Sequence, residues 1–245
     1  MNSIKINIYR KDNSKKERGS FVEYEVPYEH GMVVLDAVNY VSKYIDTSLS
    51  VRWNCKAARC GSCAAEINNV PRLMCKTRLD SLEGKVHVGP MRAFAHIKDL
   101  VSDVSINYEI ERKIPKFTPK KGMATPWIVH EEDVLRSQEF RKCIECFLCQ
   151  DVCHVVRNHN TSYIGPRHVA KVASLDMHPV DSLDRSKVLK EEMGLGYCNV
   201  TKCCQEVCPE HIKITDNAII PEKERAADAI YDPIIRAIRK LRGIK

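Results

Sequence analysis

Residues 53–63 read WNCKAARCGSC, and with Cys75 they set four cysteines at the spacing C-x4-C-x2-C-x11-C. Four thiolates so spaced grip a [2Fe–2S] rhomb. The short loop from Cys55 to Cys63 must wrap one edge of the cluster with its backbone N–H groups facing the sulfurs, and Gly61 permits a close backbone approach that a Cβ would obstruct. A zinc site is the simpler alternative, but zinc usually pairs two C-x2-4-C knuckles, which this spacing does not provide.

Upstream of this loop, IKINIYR (4–10) and FVEYEVP (21–27) alternate apolar and polar side chains around a charged turn containing Gly19, which predicts a hairpin. VVLDAVNYVSKYI (33–45) places Val34, Leu35, Val38, Val41 and Ile45 at helical spacing, so a helix is expected across that sheet. Downstream, AAEINNVPRLMC turns at Asn68-Asn69 and returns to Cys75, and KVHVGP reads as a last strand. A small mixed sheet with one crossing helix is the β-grasp plan of a plant-type ferredoxin, expected over residues 1–110.

ERKIPKFTPKKGMATP (111–126) carries three prolines among basic residues and no apolar period, and reads as an extended connector. Beyond it the signals are helical: residues 133–149, the segment around 167–178, and a stretch from about 221. The expected class is therefore α+β, with the β-grasp domain followed by an all-α, bacterial-type two-cluster ferredoxin domain over 111–245.

That second domain carries its own cysteine runs. Cys143, Cys146, Cys149 and Cys153 form C-x2-C-x2-C-x3-C, and Cys198, Cys204 and Cys208, with Pro209 behind the last, supply the other half. In such pairs the fourth cysteine of each run serves the other cluster. Cys143, Cys146, Cys149 and Cys208 are thus expected around a [4Fe–4S] cubane, and Cys153, Cys198 and Cys204 around a second centre. A full second run needs a cysteine at position 201, where Thr201 stands. A threonine hydroxyl stays protonated near neutral pH, so a [3Fe–4S] cluster, a cubane lacking one iron, is expected. Cys203 is read as a buried non-ligand thiol, although it could complete a second [4Fe–4S]. His211 is read as a surface or tuning histidine.

Composition bounds the rest. A chain of 245 residues has room for two modest cores, and no stretch approaches the roughly 18 apolar residues of a membrane span. MNSIKINIYR lacks an apolar signal region, so the clustered cysteines read as metal ligands in a reducing compartment rather than as disulfides. The net charge of +7 suits an anionic membrane, an acidic subunit or nucleic acid. With neither a base-reading basic helix nor an aromatic stacking platform, nucleic acid is not expected as a partner.

With WNCKAARCGSC, RLMCKT, CIECFLCQDVC and GYCNVTKCCQEVCPEHIKI in this order, the chain resembles the iron–sulfur subunit of succinate dehydrogenase and fumarate reductase over nearly its whole length. The resemblance implies a partner flavoprotein that interconverts succinate and fumarate at FAD. It also implies electron flow through [2Fe–2S], [4Fe–4S] and [3Fe–4S] to quinone at a membrane anchor subunit, with this chain peripheral on the cytoplasmic face of the membrane. No G-x-G-x-x-G fingerprint is present, so the flavin and the substrate chemistry belong to another chain, and no catalytic residue is expected here.

Two departures bear on the quinone. The family often has proline directly after the fourth cysteine of the first run and a tryptophan shortly after it; here the segment is CHVVRN (153–158). His154 is the candidate hydrogen-bond partner for quinone, because histidine titrates in the useful range. The same ferredoxin pair occurs in thiol-linked fumarate reductases and other multi-cluster carriers, which is the alternative reading. Finally, in DPIIRAIRKLRGIK, Ile234, Ile235, Ile238 and Leu241 share a helical face while Arg236, Arg239, Lys240, Arg242 and Lys245 supply charge. This end is expected either against anionic lipid or the anchor, or packed on its own domain.

Overall fold

The computed structural model describes residues 2–14, 18–158 and 162–241, the side chains at 229, 230, 235, 236, 239 and 240 excepted. Strands β1 (Ser3–Arg10) and β2 (Ser20–Pro27) form the expected antiparallel hairpin, with Ile6 opposite Tyr24 and Ile8 opposite Val22. Their alternation puts Ile6, Ile8, Tyr24 and Val26 on the buried face. Helix α1 (Val34–Tyr40) crosses that face and widens into a π turn over Val41–Ile45, burying Val34, Leu35, Ala37, Val38 and Val41.

Strands β3 (Ala64–Ile67) and β4 (Val70–Leu73) follow the first cysteine loop. They are joined at Asn68 and Asn69, both in the left-handed region (φ 50° and 64°), as a two-residue type I′ hairpin requires. Strand β5 (Val86–Gly89) enters the middle of the sheet, parallel to β1 and antiparallel to β3, giving the order β2-β1-β5-β3-β4. It is not the last strand of this half. A short hairpin of β6 (Ala95–Lys98) and β7 (Val101–Asp103) follows, and helix α2 (Ser105–Lys113) runs through residue 110 into the segment read as connector.

The remaining helices are α3 (Glu131–Gln138), α4 (Leu148–Val152), α5 (His154–Arg157), α6 (Pro166–Asp176), α7 (Ser186–Glu191), α8 (Cys203–Glu206), α9 (Ile220–Tyr231) and α10 (Pro233–Leu241). The helix expected over 133–149 is interrupted. After α3 a 3-10 turn (Glu139–Lys142) leads into a loop carrying Cys143 and Cys146, and helix resumes only at Leu148. Left-handed Glu145 (φ 55°) and Phe147 (φ 59°) are the local reason, because neither conformation continues a right-handed helix.

The two halves share their interior. Phe147 and Leu148, from the Cys143–Cys153 run, are core residues of the β-grasp half, packed with Leu73, Met91 and Phe94. Arg157 of α5 pairs with Glu66 of β3, which is 4% exposed, and Arg92 holds the other carboxylate oxygen of Glu66 at 2.7 Å. Asp151 of α4 is fully buried and accepts from the Ala93 amide at 2.9 Å. The proline-rich connector is pinned by Arg185, itself 1% exposed, which donates to the Pro115 and Lys116 carbonyls and pairs with Asp176 at 2.6 Å and Asp181 at 2.7 Å.

At the C-terminus α10 lies beyond α9 and leaves Ile234, Ile238 and Leu241 exposed at 69%, 43% and 88%. These three side chains of the apolar stripe are thus not covered by the domain, and the side chain of Ile235, its fourth member, lies outside the described residues. Arg242 and Lys245 lie outside the described residues. Among the described residues no helix is long and apolar enough to cross a membrane.

Candidate metal centres

The first loop is built to present amides. Lys56 (φ 57°), Ala58 (φ 54°) and Gly61 (φ 70°) are left-handed, and reversals of this kind turn successive N–H groups inward to make an anion nest. The amides of Ala57 and Arg59 donate to Cys55 Sγ and that of Ala58 to Cys75 Sγ, each at 3.3 Å. Burial works against ionisation of Cys60, but hydrogen bonds from Ser62 and the Cys55 backbone outweigh it and bring the thiol down to about 6. Burial pushes Cys63 up to about 12. The loop thus offers a thiol ionised near neutrality at its rim, and a buried one that needs a bound cation to become thiolate.

Gly61 makes a close approach, but to protein. A Cβ there would lie 2.6 Å from Cys146 Cα and 2.9 Å from Cys146 Cβ. The first cysteine loop therefore touches the second across the domain boundary.

Cys143, Cys146, Cys149 and Cys208 line one cavity of about 210 Å³, walled by Phe140, Ile212 and Ile214. Burial, and after it the neighbouring thiols Cys143 and Cys208, pushes Cys146 up to about 12, and burial raises Cys149 and Cys208 as well. A cation answers this concentration of sulfur. Arg167 of α6, 5% exposed, lies on the cavity wall with its Nε lacking any protein partner, while its Nη2 pairs with Glu145 at 2.7 Å and Glu111 at 3.4 Å. The four thiols, the cavity and the buried cation fit an anionic four-iron cluster.

Cys153, Cys198 and Cys204 line a second, smaller cavity of about 20 Å³, together with Thr201, Cys203, His154 and Tyr163. Thr201 Oγ1 donates to Cys203 Sγ at 3.3 Å, and Thr215 Oγ1 lies 3.2 Å from Cys204 Sγ. Cys203 is half-buried and faces the Val152 carbonyl at 3.9 Å. Val200 (φ 58°) and Lys202 (φ 64°) are left-handed, and a β-branched residue in that conformation is a genuine strain, matched here to the turning of the cysteine loop. Burial pushes Cys204 up to about 12. Burial, followed by Cys198 and Cys153, holds Tyr163 well above the ordinary phenol range. Cys153, Cys198 and Cys204 thus face one space together, with Thr201 and Cys203 also on its lining.

His211 is exposed, with its amide bonded to the Cys208 carbonyl at 3.1 Å. Three residues of these sites escape a reading of spacings: Arg167, Tyr163 and Thr215. Each sits on or beside a helix start outside the cysteine runs. The only local cue is the Tyr163-Ile164-Gly165-Pro166 sequence, a helix start placed soon after Cys153.

A β-grasp domain bearing one four-cysteine loop, joined to a helical domain with two further cysteine centres, defines an electron-transfer iron–sulfur protein. A family model described as a 2Fe-2S iron–sulfur cluster binding domain matches residues 5–109, and one described as a 4Fe-4S dicluster domain matches 139–212. The chain is similar to a solved chain of the Mycobacterium smegmatis Sdh1 complex in the apo form, with a TM-score of 0.90 and 53% identity over 95% of this chain and 98% of that one. It is 33% identical to the fumarate reductase iron–sulfur subunit of Mycobacterium tuberculosis over 79% of this chain and 81% of that protein. It is also 31% identical to one subunit of the fumarate reductase (CoM/CoB) of Methanothermobacter marburgensis, over 91% of this chain but only 44% of that longer protein.

The chain belongs to the family of iron–sulfur subunits of succinate dehydrogenase and fumarate reductase. It is an electron-transfer subunit of such a complex, with [2Fe–2S] and [4Fe–4S] binding domains.

Proposed function

We propose that this subunit passes single electrons between a partner FAD flavoprotein acting on succinate or fumarate and a membrane quinone. In this reading Cys55, Cys60, Cys63 and Cys75 hold [2Fe–2S], Cys143, Cys146, Cys149 and Cys208 hold [4Fe–4S], and Cys153, Cys198 and Cys204 hold [3Fe–4S]. The observation that carries it is continuity. Gly61 packs on Cys146, linking the first loop to the second, and the one-turn helix α4 joins Cys149 to Cys153, linking the second centre to the third.

Bound clusters supply one-electron carriage between two-electron partners. The protein's own part is to fix their order and bias their charge. The Glu66 pair with Arg157 clamps the two halves, the loop amides face the sulfurs of the first centre, and Arg167 places a desolvated cation beside the second. The quinone is proposed at the third centre, where His154 borders the cavity in place of the usual proline. Attachment is peripheral, on the cytoplasmic face of the membrane beside an anchor subunit. The exposed stripe of α10 and the five basic residues after Asp232, with no acid among them, support this.

Electron paramagnetic resonance on the complex purified with its partners, before and after anaerobic succinate, tests the reading. An oxidised [3Fe–4S] signal that succinate removes is the expected result. If the oxidised complex shows no such signal, the second cubane is complete and Cys203 or another group ligates it. The thiol-linked reading then comes forward, supported by the similarity to the Methanothermobacter protein. In that case a thiol pair, not succinate, reduces the clusters.

A further inference from the structure

Tyr163 is 3% exposed, and its hydroxyl is wholly buried with no partner at full hydrogen-bond distance, the Cys198 side chain being the group it interacts with most closely. Leaving such a group unpaired is destabilising, and a buried tyrosine hydroxyl ordinarily finds a partner. Phenylalanine would fill the same apolar volume at no such cost. The ring edge borders the small cavity lined by Cys153, Cys198 and Cys204.

We infer that the Tyr163 hydroxyl donates a hydrogen bond to sulfur on the Cys198 side of the three-cysteine centre and raises the reduction potential of that centre. This rests on the proposed [3Fe–4S] ligation. The other two ligands already have donors: Thr215 Oγ1 stands 3.2 Å from Cys204 Sγ, and the backbone amides of Val155 and Val156 serve Cys153. Around Cys198 the nearby lysine is otherwise engaged, since Lys223 Nζ donates to the Cys198 carbonyl at 2.6 Å. Tyr163 is the buried donor left over.

A phenol is an O–H donor at any pH near neutrality. Reduction adds one electron and one negative charge to the cluster, no bond is made or broken, and the proton stays on the phenol oxygen. Donation to sulfur stabilises the more negative, reduced form, and hydrogen bonds to sulfur are one of the levers that set cluster potentials. Tyr163 is thus a positioning and tuning residue for the centre next to the acceptor. With the bond in place, the last centre is the easier one to reduce and draws electrons away from the first.

The test is Tyr163→Phe in the assembled complex, with redox titration followed by electron paramagnetic resonance and with hyperfine measurement after exchange into deuterated water. The expected result is a lower [3Fe–4S] midpoint, on the order of a tenfold change in its reduction equilibrium (about 59 mV for one electron). One exchangeable-proton coupling is lost, and the [2Fe–2S] midpoint does not move. An intact [3Fe–4S] signal with unchanged midpoint and couplings overturns the inference alone, whereas absence of that signal from the unsubstituted complex overturns the ligation on which it rests. If Tyr163→Phe does not assemble, 3-fluorotyrosine placed at position 163, a stronger donor of nearly the same volume, must move the midpoint upward. No movement there also overturns the inference.

Discussion

Gly61 and Gly84 share the same left-handed backbone angle, φ 70°, but differ in what a side chain would meet. At Gly84 a Cβ meets nothing within 4 Å, whereas at Gly61 it lands 2.6 Å from Cys146 Cα and 3.0 Å from Cys146 N, in backbone that cannot swing aside. Alanine at either position carries the left-handed penalty of about 1–2 kcal/mol. Gly61→Ala carries in addition the roughly 1–3 kcal/mol of forcing atoms into a packed interior, for a total of about 2–5 kcal/mol. At roughly 2–4 °C per kcal/mol for a chain of this size, Gly84→Ala should lower the melting temperature by about 2–8 °C and Gly61→Ala by about 4–20 °C. Thermal loss of the visible iron–sulfur absorption in the assembled protein reads both. Equal losses for the two variants would refute the claim that the cysteine loops are in direct contact.

Glu222 is fully buried with one carboxylate oxygen unpartnered, and burial pushes its pKa from 4.5 up to about 7 despite Arg225 at 3.3 Å. A raised carboxylate favours the folded state most below pH 4.5, and that contribution, of order 3 kcal/mol, is lost as pH rises through 7. Glu222→Gln should flatten the fall in stability between about pH 5 and 7; an unchanged slope would locate the titrating group elsewhere. Thr201→Cys, at a position lining the smaller cavity, should convert the [3Fe–4S] signal of the oxidised complex into that of a reducible [4Fe–4S], and persistence of the three-iron signal would contradict the assignment of position 201 as the missing corner. The complex should sediment with anionic but not neutral vesicles. Ile238→Glu, on the exposed stripe of α10, should weaken this at least tenfold, since burying an isoleucine is worth about 1.5–3 kcal/mol; undiminished binding would remove α10 from the membrane surface.

Which cysteines gather together was legible because those of each proposed set lie mostly within one short loop, so sequence distance stands in for spatial distance. The Asn68-Asn69 turn was legible for the same local reason. What sequence could not yield depends on long separations. Strand β5 joins β1 across some eighty residues, and nothing in VHVG distinguishes a central parallel strand from a terminal one. The apolar residues of CIECFLC imitate a helix, but Phe147 and Leu148 are apolar to serve the core of the other half. The connector reads only as extended because the group that pins it, Arg185, lies about seventy residues downstream. The tuning residues Tyr163, Arg167 and Thr215 have no motif, since what they must match is the position of sulfur in space and not a place in the chain.

Phe147 and Leu148 occupy positions between the proposed ligands Cys146 and Cys149 and also complete the interior of the β-grasp half. The polypeptide is consequently not two interchangeable modules on a tether. Cutting the chain at 111–126, or grafting either half onto a foreign redox partner, would open the core of the first half and unseat the cysteine run of the second. Maturation inherits the same dependence. A nascent chain gains its full first core only when the Cys143–Cys153 run has docked, so loading of the two cluster domains is tied into one folding event.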